Sequence, residues 1–325
     1  MHRNTIRAAF QRWLFRVGGP EPAPIQLGQR RIFVLPTAFG LTLGLTLLVM
    51  LLASINYTLS LGFGLCFLVG GVAWVSIHHA FRNLVGLSIK PGRCEPVFQG
   101  QTAHFGIVIH NAVPRPRLGL HLRPAGTPAN ATDEGFDIPA TGSLVQPVAV
   151  PALARGWLVL PRLCLETRYP IGLIRGWSLF QPDMRCLVFP APEAAPPPLP
   201  RGDGEQPGTG GQGYGQDDFA GLRTHQPADS PRHVAWKALA RSGTWLTKQF
   251  DGSGAQVVHL DWHQLPAALD TEARLSRLAR WICDADGAGF DYGLHLPGRE
   301  IHPASGPAHR LTCLTALALF GEANG

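Results

Sequence analysis

Two long apolar runs near the amino terminus dominate the pattern of hydrophobic and polar positions along the chain. Residues 32–55 and 59–77 are each about as long as the ~20-residue stretch that crosses the hydrocarbon core of a bilayer. No Asp, Glu, Lys or Arg occurs from Ile32 to Phe81, and only residues 56–58 separate the runs. The pattern predicts a two-helix transmembrane hairpin over 32–81. A buried hairpin of a soluble core fits less well, as does a signal peptide, because the first run begins late and a second span follows it.

Residues 86–190 alternate between apolar and polar side chains with a period of two. In "HFGIVIH" the apolar residues fall on one face, and in "LGLHLR" Leu118, Leu120 and Leu122 do the same. Clusters of Gly, Pro, Asn and Asp separate these short runs. The pattern predicts antiparallel strands in a β-sandwich domain. We expect this domain to be a spacer or docking surface, because no cluster of His, Asp or Cys converges in it.

The composition changes twice more towards the carboxyl terminus. Residues 191–216 are rich in proline at first and in glycine afterwards, which is typical of a linker. From 217 to 325 the strand-like runs "WLTKQF", "VVHLD" and "DYGLHL" alternate with helical periodicity. This alternation predicts a small α/β domain over 217–325.

Two helices are predicted in the second half of that domain. The first covers Thr271–Cys283, with apolar residues at helical spacing: Leu275, Leu278, Ala279 and Ile282. The second covers Arg310–Phe320, and we expect Leu311, Leu314 and Ala318 to face inward. A further helix is expected after the capping residues Asp229 or Ser230, with Pro231 at its first position.

The charges that flank the apolar runs predict the orientation of the hairpin. Six arginines and a single acid, Glu21, occur in the basic segment 1–31. Arg82, Lys90 and Arg93 follow the second run. Because Lys and Arg are retained on the cytoplasmic side of a membrane, both termini and everything after residue 82 are predicted to be cytoplasmic.

Composition and cysteine usage narrow the possible functions. The chain is 45% hydrophobic and only 15% charged, with a net charge of +6. Residues 217–325 carry ten Lys or Arg against twelve Asp or Glu, which is too little positive charge for a groove that follows phosphates. We therefore expect no nucleic-acid partner, and assign the N-terminal arginines to anionic lipid headgroups.

The six cysteines form no CxxC and lack metal-ligand spacing, so they are predicted to be small buried hydrophobes.

The stretch Asp229–Phe250 contains two of the three lysines of the chain, Lys237 and Lys248. An enzyme could use His225, Asp229 and His233 as acid–base groups, but no Ser or Cys stands in the context of a nucleophile. A structural frame is the simpler interpretation, in which Arg, Asp and Trp side chains lock a loop, a helix and a strand together. We expect the two lysines to face outward, towards an acidic partner surface.

The residues "GLRTHQPADSPRHVAWKALARSGTWLTKQF" closely resemble the signature of the bacterial family catalogued as domain of unknown function 58. The matching positions are Arg223, Asp229, Arg232, Trp236, Lys237, Arg241 and Lys248. The family is also similar in having two membrane spans and a second pattern, "RG…R…T.YP.GL…W", at the end of its β-rich part. This second pattern here comprises Arg155, Gly156, Arg162, Thr167, Tyr169, Pro170, Gly172, Leu173 and Trp177. The resemblance extends over residues 30–320.

The resemblance implies an α/β part similar to a von Willebrand factor A domain. It also implies a MoxR-type AAA+ ATPase as partner, often together with a transglutaminase-like membrane protein, and no established catalytic activity. A von Willebrand A domain binds Mg²⁺ through an Asp-x-Ser-x-Ser loop at the end of a strand. Here "VVHLD" ends in Asp261, but His263 and Leu265 stand at the two serine positions. We therefore predict no metal and no cofactor, and expect Asp261 to cap a turn.

The sequence predicts a multidomain protein of the bacterial inner membrane. Its parts are an α-helical transmembrane hairpin, a β-sandwich and a small α/β domain that resembles von Willebrand A domains. We expect an adaptor or scaffold that presents the α/β domain to a MoxR-type AAA+ ATPase or another envelope protein, and not an enzyme. The alternative is an enzyme of cell-envelope processing that uses the polar network of Asp229–Lys248.

Overall fold

The protein is described by a computed structural model over residues 19–128, 135–200, 219–224, 245–250 and 257–321, of which 219–224 and 246–250 are described as backbone strands. The chain divides into two compact units, with the boundary between Phe189 and Pro190. The first unit is a β-domain that carries a helical hairpin, and the second is a smaller α/β unit. The architecture is therefore mixed, with several largely antiparallel sheets and four helices in the described residues.

Two long helices form the hairpin that the apolar runs predict. Helix α1 spans Ala38–Asn56 and helix α2 spans Ser60–Leu84. Both are long and apolar enough to cross a membrane, and their most apolar stretches have mean hydropathies of 2.3 and 1.9. Their surfaces expose large apolar side chains, among them Leu45, Leu52 and Phe67. A hairpin in the core of a soluble protein would cover such side chains, so their exposure favours a lipid environment.

The first helix begins later than the sequence predicts. Ile32–Pro36 forms a strand, β2, and α1 starts only at Ala38. Thr37 caps the helix, since its side-chain oxygen accepts the backbone N–H of Gly40 at 3.1 Å. The predicted start at residue 32 is wrong because a strand that covers a protein core has the same apolar composition as a membrane span.

The second helix continues beyond its predicted end at residue 77. It reaches Leu84, and its last turns carry the buried residues Ala80, Asn83 and Leu84. Leu84 belongs to the core of the β-domain, and Ala80 packs with Leu173. The polar residues of "HHAFRN" thus lie where α2 enters the β-domain, and the helix continues through them.

The strands of the β-domain form three sheets. Strand β1 covers Ile25–Gln26, and the strands that follow α2 are β3 (Leu87–Pro91), β4 (Val97–Phe98), β5 (Thr102–Asn111), β6 (Arg117–Pro124), β7 (Phe136–Ile138), β8 (Ser143–Pro151), β9 (Gly156–Val159), β10 (Leu163–Thr167), β11 (Ile174–Phe180) and β12 (Arg185–Phe189). Their orders are β1-β3-β5-β8, β2-β11-β10-β6-β7 and β4-β12-β9. All pairs are antiparallel except β4 with β12, so the prediction of short antiparallel strands is confirmed for the two larger sheets.

The two larger sheets share one hydrophobic core. Phe105, Ile107 and Ile109 of β5 are fully buried, as the period-two pattern predicts. Leu120 and Leu165 of the other sheet belong to the same cluster. Two sheets that cover a common core in this way form a sandwich.

One position of the predicted alternation is wrong. Leu118 was expected on the same face as Leu120 and Leu122, but it is only half-buried. The pairing of β6 with β7 shifts register between Arg117 and Leu120, and Gly119 between them has a positive φ of 59°. This irregularity changes which side chains face inward, and Arg117 becomes fully buried.

Strands from both sides of the hairpin belong to the same sheets. Before the hairpin, β1 pairs with β3, so that Ile25 lies opposite Ile89. In the other sheet β2 pairs with β11, so that Phe33 lies opposite Trp177. The β-domain is therefore larger than the predicted range 86–190. The hairpin leaves the domain and returns to it, so its two ends lie on the same body.

The α/β unit contains a strand–helix–strand element. Antiparallel strands β13 (Phe219–Thr224) and β14 (Leu246–Phe250) come first, and then β15 (Val257–Asp261), helix α3 (Thr271–Ala288), β16 (Asp291–Leu296), β17 (Arg299–Ala304) and helix α4 (Pro307–Ala318). Strands β15 and β16 are parallel and β17 is antiparallel to β16. The strand predictions for "WLTKQF", "VVHLD" and "DYGLHL" are confirmed. The predicted helix after Asp229 lies outside the described residues.

The two predicted helices of this unit are present with shifted bounds. Asp270 caps α3 by accepting the N–H of Ala273 at 2.7 Å, and the helix ends at Gly289, whose φ is 74°. All four predicted core positions of α3 are buried. In α4, Leu314 and Ala318 are buried as predicted, but Leu311 is 48% exposed. The inward face of α4 is instead completed by Cys313 and Leu317.

The first part of the predicted linker packs on α3. The backbone N–H of Glu193 donates to the carbonyl of Ser276 at 3.1 Å. The guanidinium of Arg277 binds the Glu193 carboxylate in a two-pronged contact at 2.8 and 2.9 Å. The indole of Trp281 donates to the carbonyl of Pro197 at 2.9 Å. Residues 190–200 therefore belong structurally to the α/β unit, whereas 201–218 lie outside the described residues.

Candidate functional site: the joint between the hairpin and the β-domain

Most of the signature residues lie outside the described part of the chain. Those outside are Asp229, Arg232, Trp236, Lys237 and Arg241. Arg223 and Lys248 lie on the paired strands β13 and β14, where Arg223 is opposite Thr247 and Lys248 is opposite Leu222. The polar network of Asp229–Lys248 therefore stays a prediction.

Asp261 lies at the end of β15, where a von Willebrand A domain would bind its metal. One carboxylate oxygen accepts the backbone N–H of His263 at 2.9 Å and lies 3.3 Å from Nδ1 of His295. Asp261 thus caps the turn Trp262–Gln264, as expected for it from the sequence. Among the described residues there is no group of three or more His, Cys, Asp or Glu that could hold a metal ion.

The cysteines are poor candidates for nucleophiles. All six are free, and four of them are buried, as predicted, whereas Cys94 and Cys283 are only half-buried. Cys313 lies 3.5 Å from Nε2 of His309, but burial raises the pKa of its thiol to about 12. Burial also raises the pKa of Cys94 to about 12, and that of Cys283 above its usual value. A reactive cysteine needs the opposite shift, because the thiolate is the nucleophile.

Several residues of the second pattern converge where the β10–β11 loop contacts the base of the hairpin. We call this region the joint: the loop 168–173, the first turn of α1 and the last two turns of α2. At the α1 end, the hydroxyl of Thr37 donates to the carbonyl of Gly172 at 2.7 Å, and its backbone N–H donates to the carbonyl of Leu173 at 2.9 Å. A Cβ on Gly40 would lie only 2.2 Å from the carbonyl oxygen of Leu173. Only glycine allows this close approach of helix and loop.

At the α2 end, a buried asparagine connects the helix to two strands. The side-chain amide of Asn83 donates to the carbonyl of Leu118 at 2.6 Å and to the hydroxyl of Thr167 at 2.9 Å. Its carbonyl oxygen accepts the backbone N–H of Leu118 at 3.1 Å. Strands β6 and β10 are thereby bound to the last turn of α2, so the helix has little freedom to rotate on the domain.

Arg117 binds the carboxyl end of α2 from within the domain. Its guanidinium donates to the carbonyl of Val85 at 2.8 Å and to that of Arg82, and its Nε donates to Asn111 at 3.1 Å. These carbonyls lie at the negative end of the helix dipole, which a buried cation complements. Burial, followed by the charges of Arg115 and Arg82, lowers the pKa of Arg117 to about 10, so it remains charged at neutral pH.

A buried carboxylate holds three arginines beside the joint. Glu166 of β10 is 1% exposed. One of its oxygens accepts from Arg123 at 2.5 Å and from Arg175 at 2.5 and 2.9 Å, and the other lies 3.6 Å from Arg168. Arg175 also lies over the ring of Trp177, with its guanidinium carbon 5.1 Å from the ring centroid. This cluster connects β6, β10 and β11, and lines a cavity of about 470 Å³.

Three residues with many hydrogen bonds and ion pairs at or beside the joint have only a weak signal in the sequence. Of the second pattern, Thr167, Gly172 and Leu173 make hydrogen bonds to the hairpin, whereas Trp177 lies beside Phe33 and Arg175. Asn83, Arg117 and Glu166 were not predicted as site residues. Their only sequence signal is a polar residue inside an apolar context, as in "LCLET", and such a residue is equally common on a solvated face.

Comparisons with known proteins give no family for this chain. Neither a scan against models of protein families nor a search of curated proteins finds a match. The resemblance to domain of unknown function 58 therefore rests on the residues quoted above, and it remains a hypothesis.

Proposed function

We propose that this protein is a membrane-anchored adaptor or scaffold of the bacterial inner membrane. The hairpin is the anchor, and the β-domain and the α/β unit lie in the cytoplasm, where they serve a MoxR-type AAA+ ATPase or another envelope protein. The observation that carries the proposal is the exposed apolar surface of a hairpin whose two ends are fixed in one β-domain.

The strand pairing limits the possible topologies. Because β1 pairs with β3 and β2 with β11, the segments before and after the hairpin share one compartment. A hairpin that crosses the membrane twice satisfies this condition, whereas a single crossing does not. The arginines on both flanks favour the cytoplasmic side.

The geometry of the joint suits a fixed mount. Thr37, Asn83 and Arg117 make direct hydrogen bonds between the hairpin and the strands and loop of the β-domain. A rigid mount holds the β-domain at a constant height and orientation over the membrane. Such a mount is useful for presenting a binding surface to a large partner, because binding to a mobile surface costs the free energy of ordering it.

The α/β unit is the part that we assign to partner binding. Its parallel pair β15 and β16, connected by α3, is compatible with part of a von Willebrand A-like fold. Function through a metal is not part of the proposal, since Asp261 is used as a turn cap. We assign the contact with the ATPase to the signature stretch, on the basis of the resemblance.

The topology can be tested with alkaline phosphatase, which is active only after export because it needs its disulfides. We expect a fusion after Gly325 to be inactive. Insertion of the same reporter after Thr58, in the turn between α1 and α2, should be active. The reverse pattern would place the two units outside the cytoplasm and end the proposal of a cytoplasmic ATPase partner.

The partner surface can be tested with the three lysines. We expect Lys237→Ala and Lys248→Ala to weaken binding of the MoxR-type ATPase by about threefold to tenfold at low salt, and much less at high salt, because exposed charges are screened. The measurement is titration of the full-length protein in detergent with the purified ATPase. Lys90→Ala, an exposed lysine of the β-domain, is the matched control and should bind normally. Equal loss in all three variants would indicate a general charge effect and no defined surface.

A further inference from the structure

A basic cavity of about 340 Å³ lies at the carboxyl end of α2. His79, Arg82, Arg115, Arg117 and Tyr169 are among the residues that line it. Among the residues that the structure describes, no Asp or Glu lines this cavity. It differs in this respect from the neighbouring cluster of arginines, in which Glu166 supplies the negative charge.

Two of these arginines have no anionic partner among the described residues. The guanidinium of Arg117 donates hydrogen bonds to carbonyls at the end of α2. By contrast, Arg82 and Arg115 form no salt bridge with any described residue, and Nε of Arg115 is buried without a hydrogen bond. Burial and the nearby charge of Arg82 lower the pKa of Arg115. Cations that repel one another at a cavity are stabilised when an anion binds between them.

A second cavity, of about 560 Å³, continues from the first along the surface of α2. The two share His79 and Tyr169, whose rings lie 6.5 Å apart. Beyond His79 and Tyr169, the lining of the second cavity is apolar except for Ser76. It comprises Gly71, Pro170, Phe67, Leu68, Val72 and Val75 of α2, and Ile171 of the β10–β11 loop. From His79 to Phe67 the helix rises by about 18 Å at 1.5 Å per residue. This length is close to the ~15 Å depth of one leaflet, half of the about 30 Å hydrocarbon core.

We propose that the two cavities form one site for an anionic phospholipid, with its phosphate between Arg82 and Arg115 and an acyl chain in the groove along α2. The inference rests on the proposed membrane anchoring. A phosphate alone would need only the basic cavity, and a detergent or neutral lipid only the groove. Because the basic cavity and the apolar groove are continuous, a ligand that carries both a phosphate and an acyl chain is favoured. An anionic headgroup is favoured over a zwitterionic one because two guanidinium charges need compensation.

Two variants separate the parts of the site. Arg82→Gln with Arg115→Gln removes the charges from the basic cavity. Gly71→Leu fills the groove, and a Cβ at Gly71 meets no atom within 4 Å, so the substitution should fold. The controls are Arg93→Gln, an exposed arginine elsewhere on the β-domain, and Gly44→Leu, the same change on α1 at a position that is equally open.

The experiment measures the affinity of delipidated full-length protein in detergent for phosphatidylglycerol, phosphatidylcholine and inorganic phosphate, by thermal shift and native mass spectrometry. We expect phosphatidylglycerol to bind at least about tenfold more tightly than phosphatidylcholine. Both site variants should lose about tenfold of this affinity, and both controls should keep it. Melting temperatures without lipid show whether each variant folds.

Three outcomes would overturn the proposal. Equal binding of the two lipids, or equal loss in Arg93→Gln and the arginine double variant, would show surface electrostatics without a site. A full shift with inorganic phosphate that Gly71→Leu leaves unchanged would show a free-phosphate site. Failure of the anchoring itself is distinguishable, because the wild-type protein would then be recovered in the soluble fraction of cells, whatever its lipid affinity.

Discussion

Replacement of Arg117 by methionine should lower the free energy of unfolding of the β-domain by on the order of 3–5 kcal/mol. The side chain is fully buried and satisfies two helix carbonyls and the side chain of Asn111. Methionine fills a similar volume but donates no hydrogen bond, so three buried acceptors lose their donor. For a domain of this size the melting temperature should fall by roughly 6–20 °C, as measured by intrinsic tryptophan fluorescence of the full-length protein in detergent.

Two comparisons show whether the loss arises from hydrogen bonding. Arg117→Lys keeps the charge but not the planar fork, so it should recover only part of the stability. Arg93→Met, at an exposed position, should change the free energy of unfolding by no more than about 0.5 kcal/mol. If Arg117→Met melts within 2 °C of the wild type, the joint is not a stabilising element, and the fixed-mount argument fails with it.

The sequence predicts the hairpin well because its signal is purely compositional. The run without charged residues from Ile32 to Phe81 is long enough for two helices of membrane-spanning length. The same signal fails at the ends of the run. Ile32 and Val34 are apolar because they pack on a protein core, and His78–Asn83 is rich in polar residues although it is helical and partly buried. Composition reports whether a side chain avoids water, and not whether lipid or protein covers it.

Pairing across the hairpin could not be predicted from local patterns. The strand β1 has only two residues, and its partner β3 lies beyond both helices. Arg117 shows a related limit, since an arginine in an alternating strand is ordinarily assigned to the solvated face. It is buried here because the register shifts at Gly119 and because the end of α2 offers acceptors. Both causes involve residues on other elements of the fold. The alternation of polar and apolar residues along β6 therefore does not reveal them.

The second large effect is expected at Glu166. Glu166→Gln should lower the free energy of unfolding of the β-domain by on the order of 3–5 kcal/mol, because it removes the charge of a buried carboxylate that contacts Arg123, Arg168 and Arg175. Arg175→Gln should cost less, since its side chain is 37% exposed and water partly replaces the lost contact. Glu95→Gln, an exposed carboxylate of the same domain, is the control and should melt like the wild type.

A double-mutant cycle distinguishes a direct ion pair from two independent losses. Glu166 and Arg175 are joined by contacts of 2.5 and 2.9 Å, so we expect a coupling energy of about 1–3 kcal/mol. In Glu166→Gln, Arg175 loses the carboxylate and stays beside the positive charges of Arg123 and Arg168. Its removal in the double variant should therefore recover part of the stability. If the two losses simply add, the arginines find other partners once Glu166 is gone, and the carboxylate does not organise this side of the joint.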